Sequence, residues 1–192
     1  MQQAAYCLFE TPLGACGIGW KEQETSVIPP VVTSFRLPEA TRSLTDTRIA
    51  WNSGGRKVSV PTPLIGRIIK KVQKHLHGDL QDFQEIVVDL DAMGPFARQV
   101  YEAVRTIPAG RTVTYGELAT GMNRPTASRA VGQALGRNPI PLIIPCHRVL
   151  ASGGKPGGFS AHGGAETKAR LLEIEGAAIG RFQRTRSAMW RP

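Results

Sequence analysis

Apolar residues along this chain fall into two kinds of run. Over Tyr6–Glu10 and Ala15–Trp20 the runs are short, and Thr11-Pro12-Leu13-Gly14 between them is a turn signal. The pair therefore predicts two strands joined by a tight connection, and Val31–Phe35 adds a third. From Thr62 onward the period changes. Ile65, Ile68, Ile69, Val72 and Leu76 recur at helical spacing, with Lys70, Lys71 and Lys74 elsewhere on the wheel. Residues 41–61, polar and Gly/Ser-containing around Asn52-Ser53-Gly54-Gly55, read as loop. The stretch Asp89–Pro95 reads as a linker, beyond which Phe96, Val100, Val104 and Ile107 mark a helix stopped by Pro108-Ala109-Gly110.

The next segment predicts two short helices. Thr114-Tyr115-Gly116-Glu117 fits a capping box, with Glu117 able to reach back to the Thr114 backbone, and a helix then runs to Gly121. After Met122–Pro125, Thr126 is a second N-cap candidate. Ala127, Ala130, Val131, Ala134 and Leu135 then form a stripe of small residues that allows close approach to a partner. Arg129, Gln133 and Arg137 fall off that stripe. The pattern fits a DNA-binding helix-turn-helix slightly better than an ordinary helical hairpin.

Charge leans the same way, with a merely solvated basic surface as its alternative. The chain of 192 residues carries a net +9, and the charge is uneven: residues 1–88 hold 10 Lys/Arg and 8 Asp/Glu, residues 89–192 hold 14 and 7. A basic half points to a polyanion such as nucleic acid. Arg181–Pro192, with four arginines and little periodicity, reads as a basic tail. No apolar run approaches a membrane span, and the start lacks a secretory signal pattern, so an intracellular protein is expected. Three separated cysteines, Cys7, Cys16 and Cys146, argue against a disulfide framework and leave each thiol to be explained alone. Cys7 and Cys16 lack well-placed histidines, and His75 and His77 form only a short pair, so no metal is expected.

The chemical centre is Asn138-Pro-Ile-Pro-Leu-Ile-Ile-Pro-Cys146-His147-Arg148-Val149, where three prolines stiffen the approach to the cysteine. A cysteine beside a histidine and an arginine has an electropositive setting expected to lower its pKa. In an extended segment Cys146 and His147 point to opposite faces, so a water between them is the natural proton relay.

Pro145-Cys146-His147-Arg148-Val149, preceded by Arg129-Ala130-Val131-Gly132 and Asn138-Pro139, resembles the O6-alkylguanine-DNA alkyltransferase family. The similarity runs from about Pro95 to Gly176 and weakens toward the N-terminus, where Thr11-Pro12-Leu13-Gly14 is the main match. The resemblance implies direct, single-turnover transfer of an alkyl group from O6 of guanine, and more weakly O4 of thymine, to Cys146. The partner is then double-stranded DNA containing O6-alkylguanine, met without a cofactor by a cytoplasmic (nuclear, if eukaryotic) monomer. It makes His147 the general base acting through water, with Glu175, or its neighbour Glu173, orienting the imidazole. Tyr115 becomes the donor to the guanine ring. Arg129 becomes either the side chain filling the vacated stack or a phosphate contact, and Asn138 the brace of the turn before the cysteine. Thr126, Ala127, Ser128, Gln133 and Arg137 would face DNA, while Val149, Phe159 and Ser160, with Gly157-Gly158, would line the base pocket.

Two departures from the family pattern stand out. Ser160-Ala161-His162-Gly163-Gly164 is longer than the shorter family form, and Phe159 stands where some members have tyrosine, which bears on tolerated alkyl size. The implied fold class is α/β: a ribonuclease-H-like domain over 1–90, a helix-turn-helix, winged-helix-like domain over 91–180, and the tail 181–192. Two other classes remain in view. A lesion binder of alkyltransferase-like type would lack the cysteine, and a Cys-His hydrolase would need an oxyanion hole that no motif here suggests.

Overall fold

The computed structural model describes residues 3–22 and 29–177; the basic tail lies outside the described residues. The chain divides into two compact units, one of Met1–Ala92 plus Pro139–Ile143, the other of Met93–Asn138 and the chain from Ile144 onward. The return of five residues to the first unit is not anticipated by contiguous bounds.

In the first unit β1 (Gln3–Thr11) and β2 (Gly14–Glu22) form an antiparallel hairpin closed at Thr11 and Gly14. The turn is fixed by the Thr11 hydroxyl, which donates to the Gly14 carbonyl at 2.7 Å and accepts from the Leu13 N–H at 3.2 Å. β3 (Val31–Arg36) pairs antiparallel with β2, and the two-residue β4 (Arg56–Lys57) runs parallel to β1, giving the order β3-β2-β1-β4.

A helix, α1 (Arg42–Ser53), connects β3 to β4 where the sequence pattern predicts loop. Only Thr45, Ile49 and Ser53 of this helix are buried, and two of the three are polar, so no apolar stripe announces it. Its ends carry the information instead. The Thr41 side chain accepts from the Leu44 N–H, and Gly54 closes the helix in a left-handed conformation. The helix can approach the sheet because β2 offers glycines: a Cβ on Gly17 would lie 2.8 Å from the Ile49 Cβ. α2 (Pro63–Leu76) starts with proline in its first turn and buries Ile65, Ile69, Val72, His75 and Leu76, matching the helical spacing. The segment 139–143 completes this unit. Ile140, Leu142 and Ile143 are at most 1% exposed, and the Pro139 carbonyl accepts from the Phe35 N–H at 3.0 Å.

The second unit begins with α3 (Pro95–Arg105), which buries Val100, Tyr101, Ala103 and Val104. β5 (Val113–Thr114) leads into α4 (Tyr115–Gly121) through the expected capping box, with Thr114 and Glu117 bonded reciprocally. α5 (Ser128–Gly136) follows. Its N-cap is Ala127, with no side-chain cap bond, so Thr126 does not hold the capping position its hydroxyl suggests. A turn precedes the helix, in which the Ala127 N–H donates to the Arg124 carbonyl, and this moves the start by one residue. The chain then forms a 3-10 turn, Cys146–Arg148, β6 (Val149–Leu150), which pairs parallel with β5, and a second 3-10 turn, Ser152–Gly154. α6 (Ala165–Ile174) ends the described chain. The whole is a mixed α/β protein. Among the described residues no helix is long and apolar enough to cross a membrane.

Candidate active site

Pairing of β6 with β5 sets Val113 opposite Val149 and Thr114 opposite Leu150. Tyr115, which opens α4, and Cys146, three residues before Val149, are thereby drawn to one region of the second unit. The cysteine segment is not extended as the sequence suggests but coiled: the Cys146 N–H donates to the Ile144 carbonyl at 2.8 Å, and the Arg148 N–H to the Pro145 carbonyl at 2.9 Å. Proline at 145 suits this tight turn, since it needs no N–H of its own there.

Cys146 is 4% exposed, and burial pushes its thiol above the ordinary range. The expected lowering is therefore reversed. The Asn138 side chain, the Lys168 charge and the backbone N–H groups of Cys146 and His147 oppose the rise without overcoming it. Arg148 does not counter the rise because its guanidinium is directed elsewhere. Its Nε and Nη2 donate to the Glu175 carboxylate at 2.8–3.2 Å, and Nη1 donates to the Ile107 carbonyl.

Glu175 is the meeting point of the site. His147, fully buried, has Nε2 2.9 Å from Glu175 Oε1, while the Gly110 N–H donates to Oε2 at 3.2 Å. Glu173, the competing choice, is exposed. The α6 spacing explains the selection, because Lys168, Leu171, Leu172 and Glu175 fall on its buried face. Asn138 is buried and donates through Nδ2 to the Ile144 carbonyl at 2.8 Å, bracing the segment that enters the cysteine turn.

Tyr115 is half-buried, and burial, followed by the Cys146 charge, pushes its phenol up. Its ring lies between two glycines: a Cβ on Gly132 of α5 would be 3.8 Å from Cε1, and one on Gly157 would be 3.4 Å from Cε2. Gly157 has a φ of +68°, so a side chain there would be strained as well as crowded. Val149 is buried, Phe159 half-buried and Ser160 exposed. On α5 the residues Arg129, Gln133 and Arg137 are exposed along one side, opposite buried Val131, Ala134 and Leu135. Thr126 is exposed at the preceding turn, with Ala127 and Ser128 half-buried.

The pattern reading missed Lys168. This lysine is fully buried, donates from Nζ to the Val149 carbonyl at 2.6 Å, and sits 5.8 Å over the Tyr115 ring. Burial lowers its pKa to about 8, against a smaller opposing pull from the Cys146 charge. A signal was available: a lysine three and four residues before Leu171 and Leu172 occupies an apolar stripe position. Arg148 was also missed, since an arginine following a histidine gives no hint of the carboxylate it will meet 27 residues later.

The other thiols are of a different kind. Cys7 and Cys16 are buried in the first unit, and burial alone pushes them to about 11 and, against a weak Thr11 contact, about 12. Among the described residues no group of three His, Cys, Asp or Glu side chains could hold a metal ion.

Fold and site together define a mixed α/β protein organised around one buried thiol, with a histidine–carboxylate–arginine cluster adjoining it. A family model for the DNA-binding domain of 6-O-methylguanine DNA methyltransferase matches residues 95–177. A methylated-DNA–protein-cysteine methyltransferase of Mycolicibacterium paratuberculosis is 33% identical over 171 residues, covering 88% of this chain and 91% of the relative. Its counterpart in Mycobacterium bovis is 43% identical over 147 residues, 76% and 80% of the two chains. Among solved structures, Mycobacterium tuberculosis OGT in complex with DNA superposes with a TM-score of 0.68 at 32% identity, over 90% of this chain and 92% of that one. The O6-methylguanine-DNA methyltransferase of Pyrococcus kodakaraensis gives 0.66 at 28%, over 91% and 100%. The chain belongs to the methylated-DNA–protein-cysteine methyltransferase family.

Proposed function

We propose that this protein repairs DNA by moving the alkyl group of O6-alkylguanine onto Cys146, once per molecule and irreversibly. The observation that carries this reading is the buried Cys146, followed in sequence by a histidine bonded to a buried carboxylate, inside the segment that matches the family. Burial keeps the resting thiol protonated, so the proton has to leave as part of the reaction. With Nε2 held by Glu175, the base nitrogen of His147 is Nδ1, and a water carries the thiol proton to it. Glu175 stabilises the imidazolium that results, and Arg148 holds Glu175 in place through paired donors.

The sulfur lone pair then forms a bond to the alkyl carbon as the carbon–O6 bond breaks, and the electron pair moves into the guanine ring. The Tyr115 hydroxyl donates to a ring nitrogen where that charge develops. Lys168 fixes the Val149 carbonyl, so that Val149, Phe159 and Ser160 form the pocket wall. O4-alkylthymine is the weaker substrate.

The target base lies inside a duplex and has to be turned out to reach a buried sulfur. The exposed side of α5 supports a DNA-facing role for Arg129, Gln133 and Arg137, with Thr126, Ala127 and Ser128 at its start. Arg129 fills the vacated stack and Asn138 braces the cysteine turn. In this reading the N-terminal domain over 1–90 is ribonuclease-H-like and supportive, a description that the order β3-β2-β1-β4 with parallel β1 and β4 favours. The domain over 91–180, less the strip Pro139–Ile143 that belongs to the first unit, is a winged-helix-like helix-turn-helix, the segment 181–192 is a basic tail, and the protein acts as an intracellular monomer.

Limiting protein mixed with excess O6-methylguanine duplex tests the reading. The expected result is a burst of at most one methyl per chain, with about 14 Da on the Cys146 peptide, as thiol alkylation requires. A Cys146→Ala variant transfers nothing while still binding DNA. Turnover beyond one equivalent would indicate a hydrolase-like cycle. A thiol unchanged by the duplex would indicate a lesion binder.

A further inference from the structure

Within the second unit, the buried face of α3 carries a polar group that the transfer reaction leaves unused. Tyr101 is 1% exposed, and its hydroxyl donates to the Ala134 carbonyl at 2.9 Å. Ala134 lies in the last turn of α5, where helix carbonyls lack intrahelical donors and need outside ones. The same carbonyl also accepts from the Arg137 N–H at 3.0 Å, so the C-terminal end of α5 is held from its own cap and from a neighbouring helix. The next residue is Asn138, whose N–H donates to the Leu135 carbonyl at 3.2 Å and whose side chain holds the Ile144 carbonyl. The cysteine turn starts two residues later.

We infer that Tyr101 is a positioning residue: its hydroxyl sets where the end of α5 stands relative to the cysteine turn, so that Arg129 and Cys146 act on the same nucleotide. The small side chains of α5 give such a tie a use. With Ala130, Gly132 and Ala134 on the helix, Val131 and Leu135 are its bulky buried side chains, and a directional bond to one carbonyl adds an axial restraint to their packing. Burial, followed by a Cys146 thiolate, pushes the Tyr101 phenol up and the Arg137 charge opposes them, so the hydroxyl stays a donor. This inference rests on the reading of α5 as the DNA-facing helix.

The test is Tyr101→Phe, which keeps the ring and removes only the hydroxyl. Three quantities are compared with the wild type: the transfer rate on O6-methylguanine duplex, the transfer rate on free O6-benzylguanine, and the affinity for unmodified duplex. The free base needs no placement by α5, and phosphate contacts survive a small helix shift. The duplex rate is therefore expected to fall at least five-fold more than the free-base rate, with affinity for unmodified duplex within two-fold. Rates that fall equally on both substrates would assign the hydroxyl to the fold or to Cys146 itself. A duplex loss explained wholly by weaker binding, or no loss on either substrate, would also overturn the inference. Should the wild type fail on the duplex while reacting with the free base, it is the DNA-repair reading that fails.

Discussion

Lys168 is a cation enclosed on every side, and its neighbours explain why it remains there. Its ammonium holds the Val149 carbonyl, lies over the Tyr115 ring and offsets part of the rise of the Cys146 thiol. Burial of that charge is costly. Because the folded pKa of about 8 is below the ordinary lysine value of 10.5, the unfolded chain binds more protons between those two pH values. The Lys168 contribution to stability therefore rises as pH climbs from about 8 toward 10.5, by on the order of 3 kcal/mol, while the raised thiols Cys7 and Cys16 act the other way above about pH 9. A Lys168→Met variant lacks this gain and removes the buried charge altogether. It is expected to melt above the wild type at pH 7, with the difference shrinking by pH 10, while its transfer rate at pH 7 drops at least ten-fold. Thermal melts at both pH values, with single-turnover rates alongside, check this. A variant less stable than wild type by the same margin at every pH would mean the lysine is ordinary packing. Cys146 illustrates the same scale from the other side: Cys-His-Arg in sequence suggests a lowered thiol, but the arginine's charge goes to Glu175 and burial decides.

Among the elements, α5 joins the expected DNA surface to the chemistry, and Arg129 in its first turn is exposed. Arg129→Ala is expected to slow repair in duplex DNA at least ten-fold more than reaction with free O6-benzylguanine, since only the duplex requires a vacated stack to be filled. Parallel single-turnover assays decide it, and equal losses would place the arginine in the fold or the chemistry. The elements that were legible beforehand share one property, which is that side chains alone announce them. The β1–β2 hairpin shows in its turn, α2 in its apolar period, and α4 in its capping box. What was not legible depends on partners distant in the chain. α1 buries Ile49 and Ser53 because Gly17 and Gly19 of β2 make room, and no window of local sequence contains both the helix and those glycines. Thr126 has the right chemistry for a cap, but the turn from Arg124 puts Ala127 in that place. At the site, family motifs marked Cys146, His147 and Tyr115, and the choice between Glu173 and Glu175 needed the helix face.

At the scale of the whole molecule, the division of the chain carries a consequence for how the protein is made. The first unit ends at Ala92 but is not complete there, because it also contains Pro139–Ile143. Ile140, Leu142 and Ile143 are at most 1% exposed, and burying three such side chains contributes roughly 4–9 kcal/mol, as much as many small domains have in total. A fragment of residues 1–92 is therefore expected to unfold in urea without a cooperative transition, and to regain one when a peptide spanning 137–145 is added. Circular dichroism during the titration checks this, and a sharp transition for the fragment alone would show that the strip is dispensable. On the ribosome, where domains ordinarily fold in order of emergence, this one has to wait. The first unit stays incomplete while α3, α4 and α5 are still being synthesised, and its core fills only when the segment leading to Cys146 arrives. The reactive cysteine thus follows directly behind the residues that complete the first unit.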